Sequence, residues 1–364
     1  GDLPVFEEAT TYPCILSLSK EEPKALFKAA EISDLDFDQL EERLKTDSFQ
    51  SDQTQLQEEG WNLADDKTQK LLAKLRSQGK PLEEYVDGKI YRGVLTGLNE
   101  AFVIDKETKD KLIAQDPRSA EVLKPFLAGR DIKRYKQPVA DKWLIFFPKG
   151  TTIKRNLPED DPNYLPPPNL AMAPPPRYGD MGKRDAWSWV RENYPAIAKH
   201  LWPFKKQAEK RTDQGDYWWE LRACDYYGEF EKSKLMLPDI AKQAEFSWDT
   251  SQAFCVNTAY ILPTNEKWLL GLLNSKAMLY FYDSITSTIR GRYYRFIRQY
   301  LEQIPVPSTA PAQRQPIETL VTQILSLKKE DPEADTSKLE QEIDQLVYRL
   351  YGLTEEEIGV VEEK

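Results

Sequence analysis

An α+β fold is predicted by three features of this 364-residue chain. Short runs rich in β-branched and aromatic residues alternate with stretches of helical periodicity through its middle. Two long amphipathic helices joined by a polar turn follow at the C-terminal end. The composition, 40% hydrophobic and 11% aromatic, suits a folded chain with a sizeable core in two or three domains.

The elements follow in order. Residues 3–19 read as an extended segment carrying Tyr12, Cys14, Ile15, Leu16 and Leu18. A polar stretch to about residue 60 holds one weak helix over 37–44. Leu71, Leu72 and Leu75 place a helix from residue 66, ended by Gly79 and Pro81. The spacing predicts strands over 89–94 and 101–104, with Thr96-Gly97-Leu98-Asn99 as the turn into the second. A helix over 119–127, stopped by Gly129, and a buried strand over 143–147 come next. Residues 158–180 hold Pro158, Pro162, Pro166, Pro167, Pro168, Pro174, Pro175 and Pro176, a density that forbids helix and central strand, so a long loop is expected. Helix resumes over 194–211, then strands over 234–240 and 254–262, and a helix over 266–282. The chain closes on two stripes, Ile317, Leu320, Val321, Ile324, Leu325 and Leu339, Ile343, Leu346, Val347, Leu350, around the turn DPEADTS. This hairpin is expected to pack through Ile324, Leu325, Leu346, Val347 and Leu350.

Several function classes drop out. The longest apolar runs, 143–147 and 268–273, are far shorter than the roughly 20 residues of a membrane span, and no basic-then-apolar leader is present. Cys14, Cys224 and Cys255 fit neither a disulfide framework nor a zinc site, so a cytoplasmic location is expected. The chain starts with Gly1 and reads as a piece of a longer protein. With His200 as its single histidine, no His dyad or His-rich metal site can form, and a structural role is expected for it. No glycine-rich phosphate loop occurs. Glu107-Thr108-Lys109 and Asp131-Ile132-Lys133 match half of a metal-dependent nuclease site, but such triplets arise by chance in a chain that is 30% charged.

Charge is informative once it is divided. Residues 1–66 carry a net −12 and residues 309–364 a net −7, which leaves +9 for the centre of a chain whose total is −10. A basic centre with acidic flanks suits one part meeting phosphate and the others meeting protein or solvent. The run STIRGRYYRFIRQY places Arg290, Arg292, Arg295 and Arg298 among Tyr293, Tyr294, Phe296 and Tyr300 without one acidic residue. Arginine offers forked donors to phosphates and guanine edges, and tyrosine a stacking face. A second run, GRDIKRYK, carries Arg130, Lys133, Arg134 and Lys136, and a third carries Lys205, Lys206, Lys210 and Arg211. The third, with Glu209 inside a helix, reads as a solvated face.

YRGVLTGLNEAFVID, LKPFLAGRDIKRY, YPAIAKHLWPFKKQAEKRTDQGDYWWELR, KLMLPDIA, WLLGLLNSKAMLYFYDSI with YLEQIPVP, and IDQLVYRLYGLTEEEI occur here in one order. That order resembles the C-terminal target-recognition region of Type IIG-like restriction–modification enzymes, fused DNA adenine methyltransferases of the TaqI-like specificity class. Related phage-defence methyltransferases share the region. The resemblance covers roughly residues 60–360, and VFEEATTYPCILSL is similar to the segment that follows the family's methyltransferase domain. It implies a mixed-sheet target-recognition domain with flanking helices over 66–308, a connector over 1–65 and a C-terminal helical hairpin over 309–364. The family's Asn-Pro-Pro-Tyr-type loop and its glycine-containing cofactor loop do not occur in these residues. The resemblance therefore implies sequence-specific reading of double-stranded DNA with no catalytic, cofactor or metal residue of its own. Adenine-N6 methylation with S-adenosylmethionine, and Mg-dependent cleavage where a nuclease domain exists, fall to an N-terminal part, which with DNA is the expected partner.

The candidate DNA-binding residues are Arg290, Arg292, Tyr293, Tyr294, Arg295, Arg298, Arg130, Lys133, Arg134, Thr96 and Asn99. Gly291 favours Arg290 and Arg292 as base readers, while Arg295 and Arg298 are expected to grip phosphate. The alternative is a non-catalytic protein-interaction scaffold that works through the hairpin.

Overall fold

The computed structural model describes residues 14–22, 24–30, 32, 34–55, 66–154, 183–286, 288–289 and 293–363. The proline-rich stretch 158–180, the start of the expected extended segment, and both Arg290 and Arg292 lie outside the described residues. The architecture is α+β, with several open sheets and helices around them.

Two strands organise it. Lys234–Pro238 and Ala259–Pro263 pair antiparallel at the centre of a four-stranded sheet flanked by Ser247–Asp249 and Tyr91–Arg92. Successive side chains of a strand point to opposite faces. Leu235, Leu237, Tyr260 and Leu262 accordingly enter one core, while Met236, Ala259 and Ile261 enter another. Every residue of Lys234–Pro238 is buried, as expected of a strand covered on both faces.

The first core holds Leu71, Leu72 and Leu75 of helix Asp66–Ser77, helices Lys267–Asn274 and Lys276–Ile285, and the C-terminal helices. The second is built on a mixed sheet in the order Phe254–Cys255, Leu123–Leu127, Lys142–Ile145, Val103–Asp105, whose first pairing is parallel. Helices Lys183–Asn193 and Pro195–Leu201 contribute Trp189, Val190, Ile197 and Leu201 to it.

Several local expectations need correction. The strand over 254–262 is two strands, Phe254–Cys255 and Ala259–Pro263, in different sheets, and the helix over 194–211 is Pro195–Leu201, a 3₁₀ turn Trp202–Phe204 and the short helix Lys205–Ala208. The helix over 119–127 is a 3₁₀ turn, Pro117–Val122, followed by strand Leu123–Leu127. Pairing with both Lys142–Ile145 and Phe254–Cys255 overrides local helical spacing there. The strand over 101–104 is a one-turn helix, Asn99–Phe102, leading to a three-residue strand, Val103–Asp105. The helix over 266–282 is two helices, because Ser275 leaves helical geometry and its hydroxyl accepts from the Met278 amide at 3.4 Å. In the N-terminal region, Leu26–Ala30 and Ser48–Asp52 form a hairpin around helix Leu40–Asp47, and residues 14–19 are irregular.

The hairpin consists of Pro311–Glu330 and Ser337–Leu350, with Glu355–Glu362 after it. Its innermost residues are Ile317, Val321, Ile324, Ile343 and Val347; Leu325, Leu346 and Leu350 are only partly buried. Asp344 is buried with them, and its Oδ1 accepts from the Lys276 backbone amide at 2.9 Å, so helix Ser337–Leu350 caps the start of helix Lys276–Ile285. Burial raises the Asp344 pKa to about 6 against the opposing pull of that amide, Arg134 and Lys276. An unfolded aspartate titrates near ~3.9. Between about pH 4 and pH 6 the folded chain thus binds more protons than the unfolded one, and this group's contribution falls as pH rises. Asp344→Asn keeps the acceptor and removes the proton, so chemical denaturation from pH 4 to 7 is expected to show a weaker decline in the variant than in the natural chain.

Candidate nucleic-acid interface

Past the buried strand Lys234–Pro238 the chain emerges through Asp239 into Ile240–Ala241, which pairs antiparallel with Tyr293–Arg295. Ile240 faces Arg295 and Ala241 faces Tyr294. From the mixed sheet, strand Leu123–Leu127 ends in the turn Gly129–Asp131, where Asp131 Oδ2 accepts from the Ala128 amide at 2.7 Å. A Cβ at Gly129 would stand 2.7 Å from the Thr258 carbonyl oxygen, so only glycine lets this turn lie against the loop entering Ala259–Pro263. These approaches produce an open groove of about 440 Å³ lined by Gly129, Arg130, Lys133, Asp239, Lys242, Glu245 and Tyr293 among others.

Cations outnumber acids along the groove, with Arg130, Lys133 and Lys242 against Asp239 and Glu245. The Arg130 side chain is 75% exposed and lies 3.7 Å from Asp131. Lys133 pairs with Glu245 at 3.2 Å. The Lys242 ammonium sits 5.2 Å from the centroid of the exposed Tyr293 ring, a cation–π contact that holds a charge beside an aromatic face. Burial raises the Asp239 pKa, opposed by the charges of Arg92 and Arg295. Arg92 is steadied at this edge by a 2.6 Å bond from Nε to the Asn257 carbonyl. Two basic segments far apart in sequence, 130–133 and 293–295, thus meet here. Lys242, Arg92 and Asp239 belong to the same surface and escaped the sequence reading. Asp239 and Lys242 lie within and just after the quoted KLMLPDIA motif, but nothing local shows that they face the basic runs.

The other candidate residues turn elsewhere. Arg134 donates to Glu340 Oε2 at 2.6 Å and to the carbonyls of Ala244 and Asn274, and lies over the Tyr135 ring. Lys136 pairs with Glu333 at 2.7 Å. The second basic run is therefore divided: Arg130 and Lys133 face the groove, while Arg134 and Lys136 grip the hairpin. Arg298 is held by Glu83 at 2.7 Å and Glu302 at 3.5 Å, and packs beside the Ile90 carbonyl. The Tyr294 ring packs inward against Tyr282 and Phe296.

Thr96 is buried and donates from Oγ1 to Asn99 Oδ1 at 2.6 Å, with Gly97 at φ +68 between them. Arg211, also buried, donates to the carbonyls of Thr96, Trp218 and Glu220, and its guanidinium lies 4.3 Å from the Phe102 ring centroid. Burial lowers its pKa to about 10. The TGLN turn is thus clamped onto Arg211, and one member of the third basic run is an internal brace. Lys205 pairs with Glu209 on the surface.

His200 meets the Ala101 carbonyl at 3.2 Å in a half-buried site, and burial lowers its pKa. The two nuclease-like triplets are used locally. Asp131 caps its own turn, and Lys109 lies 4.2 Å from the Trp143 ring centroid. Among the described residues no three His, Cys, Asp or Glu side chains converge to hold a metal ion, and no described helix is long and apolar enough to cross a membrane.

Residues 124–306 match the family model of the TaqI-like C-terminal specificity domain. The Type II methyltransferase M.XhoI of Xanthomonas vasicola is 25% identical over 175 residues, which is 46% of this chain and 30% of that protein. The Type II methyltransferase M.PaeR7I of Pseudomonas aeruginosa is 27% identical over 130 residues, 35% of this chain and 21% of that protein. The chain spans less than a third of the length of these relatives. Among solved structures, the Type IIL restriction-modification enzyme MmeI in complex with DNA aligns over 76% of this chain and 35% of its own, at 14% identity and a TM-score of 0.45. The family match contains Arg130, Lys133, Asp239, Lys242 and Tyr293, hence both sides of the groove, and it covers half of the chain: the protein belongs to the TaqI-like C-terminal specificity domain family.

Proposed function

We propose that this chain is the double-stranded DNA recognition module of a restriction–modification or phage-defence methyltransferase of the cytoplasm. In this reading the groove binds DNA, and a methyltransferase portion outside these residues carries out adenine-N6 methylation, with cleavage where that portion includes a nuclease. The observation that carries it is the gathering of Arg130, Lys133, Lys242 and Tyr293 from three distant segments at one open groove within the family match. Such a surface neutralises phosphates and offers donors to base edges.

The glycine-containing loop by which the resembled family holds S-adenosylmethionine does not occur in these residues. The cofactor is accordingly assigned to the methyltransferase portion, which is also the proposed protein partner. The hairpin-scaffold alternative is weaker, because Ile317, Val321, Ile324, Ile343 and Val347 are spent on the chain's own core. Arg290 and Arg292, outside the described residues, remain proposed base readers.

The pure chain is expected to transfer no labelled methyl from S-adenosylmethionine to DNA; incorporation above background would overturn that assignment. Binding to long duplex DNA should weaken steeply with salt. Arg130→Ala should reduce the slope of log affinity against log salt by about one unit, the signature of one lost phosphate contact. Arg134→Ala, which removes the tie to Glu340, should lower the unfolding midpoint. Unchanged salt slopes in Arg130→Ala and Lys133→Ala would place the DNA surface elsewhere.

A further inference from the structure

We propose that Asp239 reads the 4-amino group of a cytosine, so that the sequence recognised by this chain contains a C·G pair opposite that carboxylate; this rests on the groove being the DNA surface. A carboxylate is out of place in a site built only for phosphate, since it repels the backbone it would face. Glu245, the other acid lining the groove, is already engaged by Lys133 at 3.2 Å. Asp239 is not. Its backbone is clamped on both sides, the amide donating to the Thr258 carbonyl at 2.9 Å and the carbonyl accepting from the Phe296 amide at 2.8 Å. Its side chain is half-buried and forms no ion pair or hydrogen bond to another side chain among the described residues.

Burial is the leading influence on the acid, which Arg92, Arg295 and a hydrogen bond from its own backbone amide only partly offset. The structure thus places, on a clamped backbone, a carboxylate without a side-chain partner among the described residues in a groove that also carries cationic donors. In the major groove, cytosine presents the N4 amine and no acceptor, whereas adenine presents N6 beside the N7 lone pair, which would face the second carboxylate oxygen. The guanine paired with that cytosine presents O6 and N7, two acceptors. Donors beside one acceptor are the complement of a C·G pair, and Arg130, Lys133 and Lys242 line the same groove as Asp239. A role limited to balancing the charges of Arg92 and Arg295 would give Asp239 no effect on base preference.

The test is selection of the 364-residue chain and of its Asp239→Asn variant on duplexes with a randomised centre. The natural chain should enrich a site with a fixed C·G pair. The variant should lose preference for that pair by roughly 5- to 150-fold and tolerate adenine there, because asparagine offers a donor to N7 beside its acceptor for N6. Identical enriched sites for the two proteins would overturn the cytosine assignment and leave the DNA reading intact. Failure of the natural chain to bind or enrich any duplex would overturn both. A second measurement needs no variant: replacing that cytosine with 2-pyrimidinone, which lacks the 4-amino group, should weaken binding by a similar factor. Equal affinity for the two duplexes would also overturn the assignment.

Discussion

The pairing of Lys234–Pro238 with Ala259–Pro263 is the constraint on which the rest of the structure depends. Both strands are buried on both faces, so a slip of one residue would send Leu235 and Leu237 into the wrong core and expel Met236 from its own. Register is pinned at one end by charge. Lys234 and Asp249 are fully buried and 2.5 Å apart, and the remaining Lys234 donor capacity goes to the carbonyls of Phe230 at 2.6 Å and Lys232 at 3.4 Å. Asp249 also accepts from Ser251, Ala253 and Gln137; burial would raise its pKa, but Lys234 above all, and then Ser251, outweigh it and hold the group below the usual carboxylate range. A buried pair of this kind is weak evidence for stability, but losing one partner typically costs about 3–5 kcal/mol. It therefore acts here as a registration mark.

The other end of the same strand makes the surface. Once Pro238 leaves the sheet, Asp239 and Ile240 line the groove together with Gly129 and Tyr293. Arg134 completes the arrangement. Four residues beyond Arg130, it points inward to Glu340 and two carbonyls, and this anchors the segment that carries Arg130 and Lys133 along the groove. The acidic C-terminal flank thus has one definite use: Glu333 and Glu340 tie the hairpin to a basic segment of the reader.

The hairpin was legible in the sequence because a 3.6-residue stripe of Ile, Leu and Val has few other meanings, and the buried strand around Trp143 because its run is short, apolar and bounded. What could not be read locally was set by pairing across long separations. Leu123–Leu127 becomes a strand through partners at 142–145 and 254–255, and the N-terminal hairpin pairs segments without clean alternation, LFKAA and SFQSD. The site shows the same division. Charge runs pointed to 130–136 and 290–298, yet which arginines are engaged internally depends on Glu83, Glu302 and Glu340, none of which stands out in the sequence. Asp239 and Lys242 gain meaning only from the pairing of Ile240–Ala241 with Tyr293–Arg295.

The central claim is that DNA lies in the groove at Ile240 and not on the hairpin. Ile240 and Leu327 are both exposed apolar residues, one lining the groove and one on helix Pro311–Glu330. A benzophenone amino acid placed at either position and irradiated with duplex DNA compares the two surfaces directly. The account predicts salt-sensitive crosslinking from position 240 and none from position 327; crosslinking from 327 with none from 240 would contradict it.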